Sequence, residues 1–156
     1  MPDMLVHLLK IADPAPLIDE MRKSAIVIRR AQPFEITPVR EFITRHFAPT
    51  WADEVSVGFA NKPVSIYLAI RDGAIVGFAA CECTRRAFFG PMGVLEDQRG
   101  RGIGRALLLA CLAGLRDMGY AYGIIGGVGP ADFYTRTCGA TLIPDSTPGI
   151  YTDGLK

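Results

Sequence analysis

Apolar residues near the start of the chain recur first with the period of a strand and then with that of a helix. Residues 25–30 (AIVIRR) are a β-rich run that predicts a strand. Thr37 is a suitable helix cap and Pro38 a suitable first helical residue, and the apolar repeat after them predicts a helix over 38–47. No comparable period is visible over 48–63, so we expect that stretch to be irregular.

The clearest hairpin of the chain follows. Residues 65–71 and 74–83 are β-rich runs joined by Asp72-Gly73, a dipeptide that suits a tight primed turn. A third β-rich run, 87–94, continues the meander. The pattern therefore predicts three consecutive antiparallel strands.

The second half of the chain changes to a helical period. Residues 102–118 carry a broad apolar stripe and are followed by Gly119, a natural helix stop. Four short elements are predicted after it, namely a strand at 120–125, a helix at 130–138, and strands at 140–143 and 149–152. This order of elements predicts a single α/β domain with a mixed, mostly antiparallel sheet flanked by helices.

The first residues are predicted to lie outside that domain. Residues 1–24 are interpreted as an N-terminal extension, which places the domain at 25–156. Pro14 and Pro16 favour a helix start, and the only element predicted in the extension is a short helix over 17–23.

Composition and charge exclude several classes of protein. The 156 residues are 49% hydrophobic and 21% charged, as in an ordinary globular protein. The formal net charge of +1 is too small for a general nucleic-acid or membrane binder. The longest apolar run, 106–115, is far shorter than the ~20 residues of a membrane span, and the first residues lack a secretory pattern. We expect a cytoplasmic protein without nucleic-acid or membrane partners.

The four cysteines are interpreted as reduced thiols. Cys81 and Cys83 are two apart in a strand-like run, so they are expected to share one face and not to bridge each other. The chain has no CxxC and no His-rich set of partners, so no metal is expected.

The strongest chemical signal lies where the third meander strand meets the long helix. Residues 94–105 (VLEDQRGRGIGR) interleave three glycines with three arginines. A helix start has free N–H groups and about half a positive charge, and glycines let a pyrophosphate approach those groups. The segment is not a P-loop, and Arg105 stands where a dinucleotide fingerprint needs its third glycine. A phosphate-bearing ligand is predicted.

The motif Arg99-x-x-Gly102-x-Gly104, between a strand and a long helix, resembles the acyl-CoA loop of the GNAT superfamily of N-acetyltransferases. With Phe133-Tyr134-x-x-x-x-Gly139-Ala140 and the strand order, the resemblance covers about residues 25–156. It implies the GNAT fold, with strands splayed at the acyl-CoA site. It also implies transfer of an acetyl group from acetyl-CoA to a primary amine by direct attack.

The resemblance further implies individual site residues. Tyr134 matches the family's tyrosine that protonates the departing thiolate. Backbone groups of Met92, Gly93 and Val94 would pair with the pantetheine arm like an extra strand. The loop and helix start would hold the pyrophosphate through Arg99, Gly100, Arg101, Gly102, Ile103, Gly104 and Arg105.

The chain departs from the family pattern in two places. Many members have an asparagine after the fifth strand, where this chain reads GGVGP over 126–130. No general base is obvious either, and Glu82, on a predicted central strand, is the candidate for that role.

The acceptor is not identified by the sequence. The acceptor is expected to be a small-molecule amine or an amino-acid-like molecule. Aromatic residues together with two acidic ones favour a pocket for a small cationic amine, namely Phe47, Trp51, Phe59, Tyr67, Asp53 and Glu54. Two other functions stay open, a catalytically silent CoA-binding sensor or regulatory module and a module that binds ATP or NAD instead. A homodimer also stays open.

Overall fold

Seven strands form one sheet in the order β2-β3-β4-β5-β6-β1-β7 in the computed structural model, which describes residues 1–156. The strands are β1 (Met4–His7), β2 (Ile26–Arg30), β3 (Ile66–Arg71), β4 (Ala74–Cys81), β5 (Phe88–Val94), β6 (Tyr122–Ile125) and β7 (Thr141–Leu142). Every neighbouring pair is antiparallel except β5 and β6, which run parallel. The predicted mixed, mostly antiparallel sheet is confirmed.

Five α-helices cover the sheet. They are α1 (Ala15–Lys23), α2 (Ile36–His46), α3 (Pro49–Ala60), α4 (Ile103–Asp117) and α5 (Ala131–Cys138). Because side chains alternate along a strand, Tyr67 and Ala69 of β3 pack with α4, whereas Ile66 and Leu68 pack with α2 and α3. The two faces of the sheet therefore carry two separate cores. No helix is long and apolar enough to span a bilayer.

The hairpin between β3 and β4 has the predicted turn. Asp72 and Gly73 both have left-handed backbone conformations, with φ of 51° and 75°. This is the geometry of a primed turn, whose twist matches that of the strands it joins. The Asp-Gly signal therefore sets the register of the two strands next to the turn, up to the register shift between Ala69 and Ile70.

Residues 1–24 are not the appendage that the sequence suggests. The short helix is confirmed as α1, but β1 lies inside the sheet between β6 and β7. Met4 pairs with both Ile125 and Leu142, and its side chain is buried. The pairing partners of β1 lie more than a hundred positions away, so its place in the sheet cannot be predicted from neighbouring residues.

The stretch expected to be irregular is largely helical. Within 48–63 lies α3, whose first residue is Pro49. The first N–H of a helix has no partner inside the helix, so a proline at this position loses no hydrogen bond. Ala52, Val55 and Phe59 are buried at helical spacing. Val55, Val57 and Gly58 have low helix propensity, so burial of this face stabilises the helix more than propensity does.

Two smaller predictions are also wrong. Cys81 and Cys83 lie in opposite cores because Glu82, between them, has a φ of 58° and breaks the strand alternation. All four cysteines are free thiols. The segment predicted as a last strand at 149–152 is a 3₁₀ turn, Gly149–Tyr151.

Gly58 controls how closely α3 approaches the sheet. A Cβ at this position would lie 2.4 Å from Ile66 Cδ1 and 2.9 Å from Cys83 Sγ, both of which are buried. We expect Gly58→Ala to lower the free energy of unfolding by about 1 kcal/mol. Overpacking costs about 1–3 kcal/mol, and the higher helix propensity of alanine offsets about 1 kcal/mol of that cost. Denaturant unfolding measures this, and exposed Val57→Ala is the control, with a change within about 0.5 kcal/mol. A Gly58→Ala variant as stable as wild type would contradict the tight contact.

Candidate active site

Strands β5 and β6 separate soon after they begin to pair. Their parallel register covers only Phe88 with Ile124 and Phe89 with Ile125. At Gly90-Pro91 the β5 strand carries one extra residue relative to β4, which is a β-bulge. Beyond this bulge β5 pairs with β4 alone, so its other edge is left free for a ligand.

A cavity of about 670 Å³ runs along this free edge to the start of α4. Fifteen residues line it, namely Phe47, Trp51, Met92, Gly93, Val94, Gln98, Arg99, Gly100, Gly102, Ile103, Gly104, Arg105, Pro130, Phe133 and Tyr134. Every residue predicted to hold the cofactor is present except Arg101, whose side chain is exposed and lies outside the lining. The structure thus brings the strand edge, the glycine loop and Tyr134 into one cavity.

The glycine loop presents the backbone of α4 to the cavity. Gly100 and Gly102 have φ of 76° and 86°, a region that residues with a Cβ rarely adopt. Gly102 is the N-cap of α4, and no side chain caps the helix. The first N–H groups of α4 therefore lack a capping partner from the protein, as an anion site at a helix start requires. Arg99 Nε donates to the Val94 carbonyl oxygen over 3.2 Å, which ties the loop to the end of β5.

The side of the cavity opposite α4 is aromatic, and the Phe47 ring there lies so close to β5 that only a glycine fits at position 93. A Cβ there would lie 2.4 Å from Cε1 of Phe47. The Phe47 ring stacks on Trp51 with 5.9 Å between ring centres and meets Phe78 edge-on. Phe47, which follows α2, and Trp51 of α3 therefore form one side of the cavity. They can do so because β5 has no side chain at Gly93.

Tyr134 lies on α5 at the other side of the gap. Its ring packs edge-on against Phe89 and Phe133, with centres 6.3 and 5.1 Å apart. Burial, with a smaller effect of Cys138, raises the pKa of the Tyr134 phenol. The hydroxyl therefore keeps its proton well into alkaline solution, as a proton donor must.

The structure does not bring Glu82 to this site. Its φ of 58° ends β4 one residue before it, and its carboxylate accepts a hydrogen bond from the Ala87 backbone N–H. It lines none of the cavities along the gap. Glu82 therefore holds the turn between β4 and β5, and it is not placed to act as a base.

Only some of the residues expected to form an acceptor pocket lie beside the gap. Phe59 and Tyr67 are core residues, each 7% exposed. Asp53 points outward and pairs with Arg40 on the surface. Trp51 lines the gap, and Glu54 lines a small cavity at its far end.

The segment that replaces the family's asparagine forms the floor of the gap. Gly127 has a φ of 56°, and its N–H donates to Asp3 Oδ1 over 2.9 Å. Pro130 lines the cavity together with two residues that the sequence analysis did not propose, Gln98 and Phe133. Gln98 directly precedes Arg99, and Phe133 directly precedes Tyr134. Their position next to predicted site residues is the one sequence feature that could have identified them.

Comparisons with known proteins agree with this fold. A family model described as an acetyltransferase (GNAT) domain matches residues 62–137. The GCN5-related N-acetyltransferase from Sphaerobacter thermophilus shares the fold with a TM-score of 0.69 and 20% identity, over 91% of this chain and 48% of that one. A GNAT family acetyltransferase from Brucella melitensis, in complex with acetyl-CoA, has a TM-score of 0.57 and 23% identity, over 76% of this chain and 86% of that one. No curated protein sequence matches.

A larger protein contains a similar unit. The GCN5-related glucosamine N-acetyltransferase region of a fungal multi-domain β-N-acetylglucosaminidase gives a TM-score of 0.72 and 19% identity, over 91% of this chain and 19% of that one. The chain thus spans less than half of this protein and of the Sphaerobacter one. Residues 62–137 match the family model of a GNAT acetyltransferase domain, and the chain shares the fold of solved GNAT acetyltransferases.

Gly102 and Gly104 are expected to respond oppositely to alanine. Gly102→Ala places a Cβ on a left-handed residue and should cost about 1–2 kcal/mol of unfolding free energy. At Gly104, inside α4, a Cβ would sit 3.8 Å from Phe133 and Val94, so Gly104→Ala should be neutral or stabilising by up to about 1 kcal/mol. Chemical denaturation of both variants tests this, and equal losses would contradict the loop geometry.

Proposed function

We propose that this protein transfers the acetyl group of acetyl-CoA to a primary amine. The observation that carries the proposal is the single cavity that joins the start of α4, the free edge of β5 and Tyr134. These three features match the three parts of the donor molecule, which are the pyrophosphate, the pantetheine arm and the thioester.

The residues present suit acetyl-CoA chemically. The start of α4 offers backbone N–H groups to a pyrophosphate, and Arg99 and Arg105 add charge-assisted hydrogen bonds. Met92, Gly93 and Val94 have a free backbone edge toward the gap, which suits the amide groups of the pantetheine arm. The Brucella structure of the same fold contains acetyl-CoA, which supports this ligand.

The reaction forms a C–N bond between the amine and the thioester carbonyl carbon and breaks the C–S bond. Tyr134 supplies a proton to the departing sulfur, which would otherwise leave as a thiolate. The lining of the main cavity holds no histidine or carboxylate. The amine therefore reacts in its neutral form, after its proton has passed to water. As the amide forms, the nitrogen loses one further proton to water, and water returns a proton to the Tyr134 phenolate.

A valine at position 104 tests the pyrophosphate site. The added methyl groups would occupy the cavity beside the loop, so Gly104→Val should weaken acetyl-CoA binding about tenfold or more, equivalent to losing one charge-assisted hydrogen bond. Calorimetry measures the affinity, with thermal melting to confirm the fold. Arg101→Ala is the matched control, because this arginine lies outside the lining and should change affinity little. Unchanged affinity in folded Gly104→Val would contradict this site.

Tyr134→Phe tests the proton donor and, with it, the proposed reaction. Acetyl-CoA consumption is measured with a panel of primary amines, by thiol release and by the mass of the acetylated product. Since a positioned donor contributes about 10²–10⁴-fold to rate, kcat should fall within that range while acetyl-CoA affinity stays similar.

The pH profile separates donation from a packing role. Because burial raises the pKa of Tyr134, the wild-type rate should stay high up to the ordinary phenol value of about 10 and fall only above it. The Phe variant should lack that decline. Turnover within a few-fold of wild type would rule out the donor role. Tight binding of acetyl-CoA without turnover of any amine would instead indicate a CoA-binding sensor.

A further inference from the structure

The gap between β5 and β6 continues into a smaller cavity on the side away from the glycine loop. A cavity of about 310 Å³ occupies the gap, and one of about 110 Å³ lies beyond it, against α3 and the 3₁₀ turn at 149–151. Both cavities share a lining of Met1, Trp51, Phe89, Gly90, Pro91, Gly126 and Gly127. A bound molecule could therefore extend from the gap into the smaller cavity.

Glu54 gives the smaller cavity its charge. It is the only charged side chain in the lining of either cavity, and it is half-buried on α3. Met1 also lines both cavities, and its α-amino group makes no ion pair with Glu54. The Thr84 hydroxyl donates to Glu54 Oε1, which orients the carboxylate and leaves Oε2 available. Trp51, Phe88 and Tyr151 supply aromatic surface around it. A carboxylate among aromatic rings attracts a cation by ion pairing and by cation–π contact.

Glu54 and the proposed proton donor lie in different parts of this space. Tyr134 lines the main cavity and the gap cavity, whereas Glu54 lines only the small cavity beyond them. A group held by Glu54 is therefore separated from the reacting amine by the width of the gap. Glu54 is placed to hold the far end of an acceptor and not to remove the proton from its reacting nitrogen.

We propose that Glu54 binds a second positive charge on the acceptor, so that the preferred substrate class is a small aliphatic diamine. One amine reacts beside Tyr134, and the other pairs with Glu54 in the small cavity. Glu54 acts as a positioning and specificity residue. This inference rests on the proposed acetyl transfer, and it adds the substrate class.

The test compares α,ω-diaminoalkanes with 1-aminoalkanes of the same chain length, in the wild type and in Glu54→Gln. A charge-assisted hydrogen bond is worth about 1.5–3 kcal/mol, so the wild type should favour the diamine by about 10–100-fold in kcat/KM. Glu54→Gln should remove this preference mainly through KM. It should leave the 1-aminoalkane reaction within a few-fold of wild type.

Asp53→Asn is the matched control. Its carboxylate is adjacent in sequence but pairs with Arg40 on the outer surface, so the diamine preference should persist. Thr84→Val removes the donor to Glu54 and should reduce the preference only partly, and Glu54→Asp should retain part of it. Equal losses for diamine and 1-aminoalkane in Glu54→Gln, or no diamine preference in the wild type, would overturn the inference.

Calorimetry with the diamine and the CoA-loaded protein separates this inference from the proposed function. Diamine binding that depends on Glu54, without acetylation of any amine, would refute acetyl transfer and keep the cation site. Acetylation of amines with diamine binding that is unaffected by Glu54→Gln would refute the cation site and keep acetyl transfer. Thermal melting of each variant confirms that the compared proteins are folded.

Discussion

The site depends on the point at which β5 and β6 stop pairing. A strand inside a sheet normally satisfies its backbone groups on both edges, and a buried unsatisfied group costs about 1–3 kcal/mol. Here pairing ends at Phe89, and the bulge at Gly90-Pro91 turns the rest of β5 away from β6. The free edge faces a cavity, so water or a ligand can satisfy it. The fold thus provides a binding site at the centre of its sheet.

Packing around the gap keeps the two strands apart. On one side, α2 and α3 lie close against the sheet because two contacts involve glycines without a Cβ atom. These contacts are Gly93 with Phe47 and Gly58 with Ile66. On the other side, β6 is paired along its whole length with β1, whose Asp3 neighbour also binds the Gly127 N–H. Both sides rest on close contacts, so the width of the gap is set by the core.

Charge is distributed unevenly along this space, although the net charge of the chain is only +1. Arg99 and Arg105 lie at the end where the proposed pyrophosphate binds, and Glu54 lies at the opposite end. Between them the side chains of the lining are aromatic or apolar, and Met1 adds its α-amino group. An anionic donor and a cationic acceptor would therefore be drawn to different ends of the space and meet near Tyr134.

Those parts of the protein whose signals are local can be predicted from the sequence alone. The primed turn at Asp72-Gly73, the period of α4, and the glycine–arginine loop each depend on neighbouring residues, and the loop together with Tyr134 was enough to indicate the family. The place of β1, the helical state of 49–60 and the position of Glu82 away from the gap are visible only in the folded structure. These features depend on pairing and burial between distant segments, and a single residue in a left-handed conformation redirects the side chains around it, so no local pattern records them.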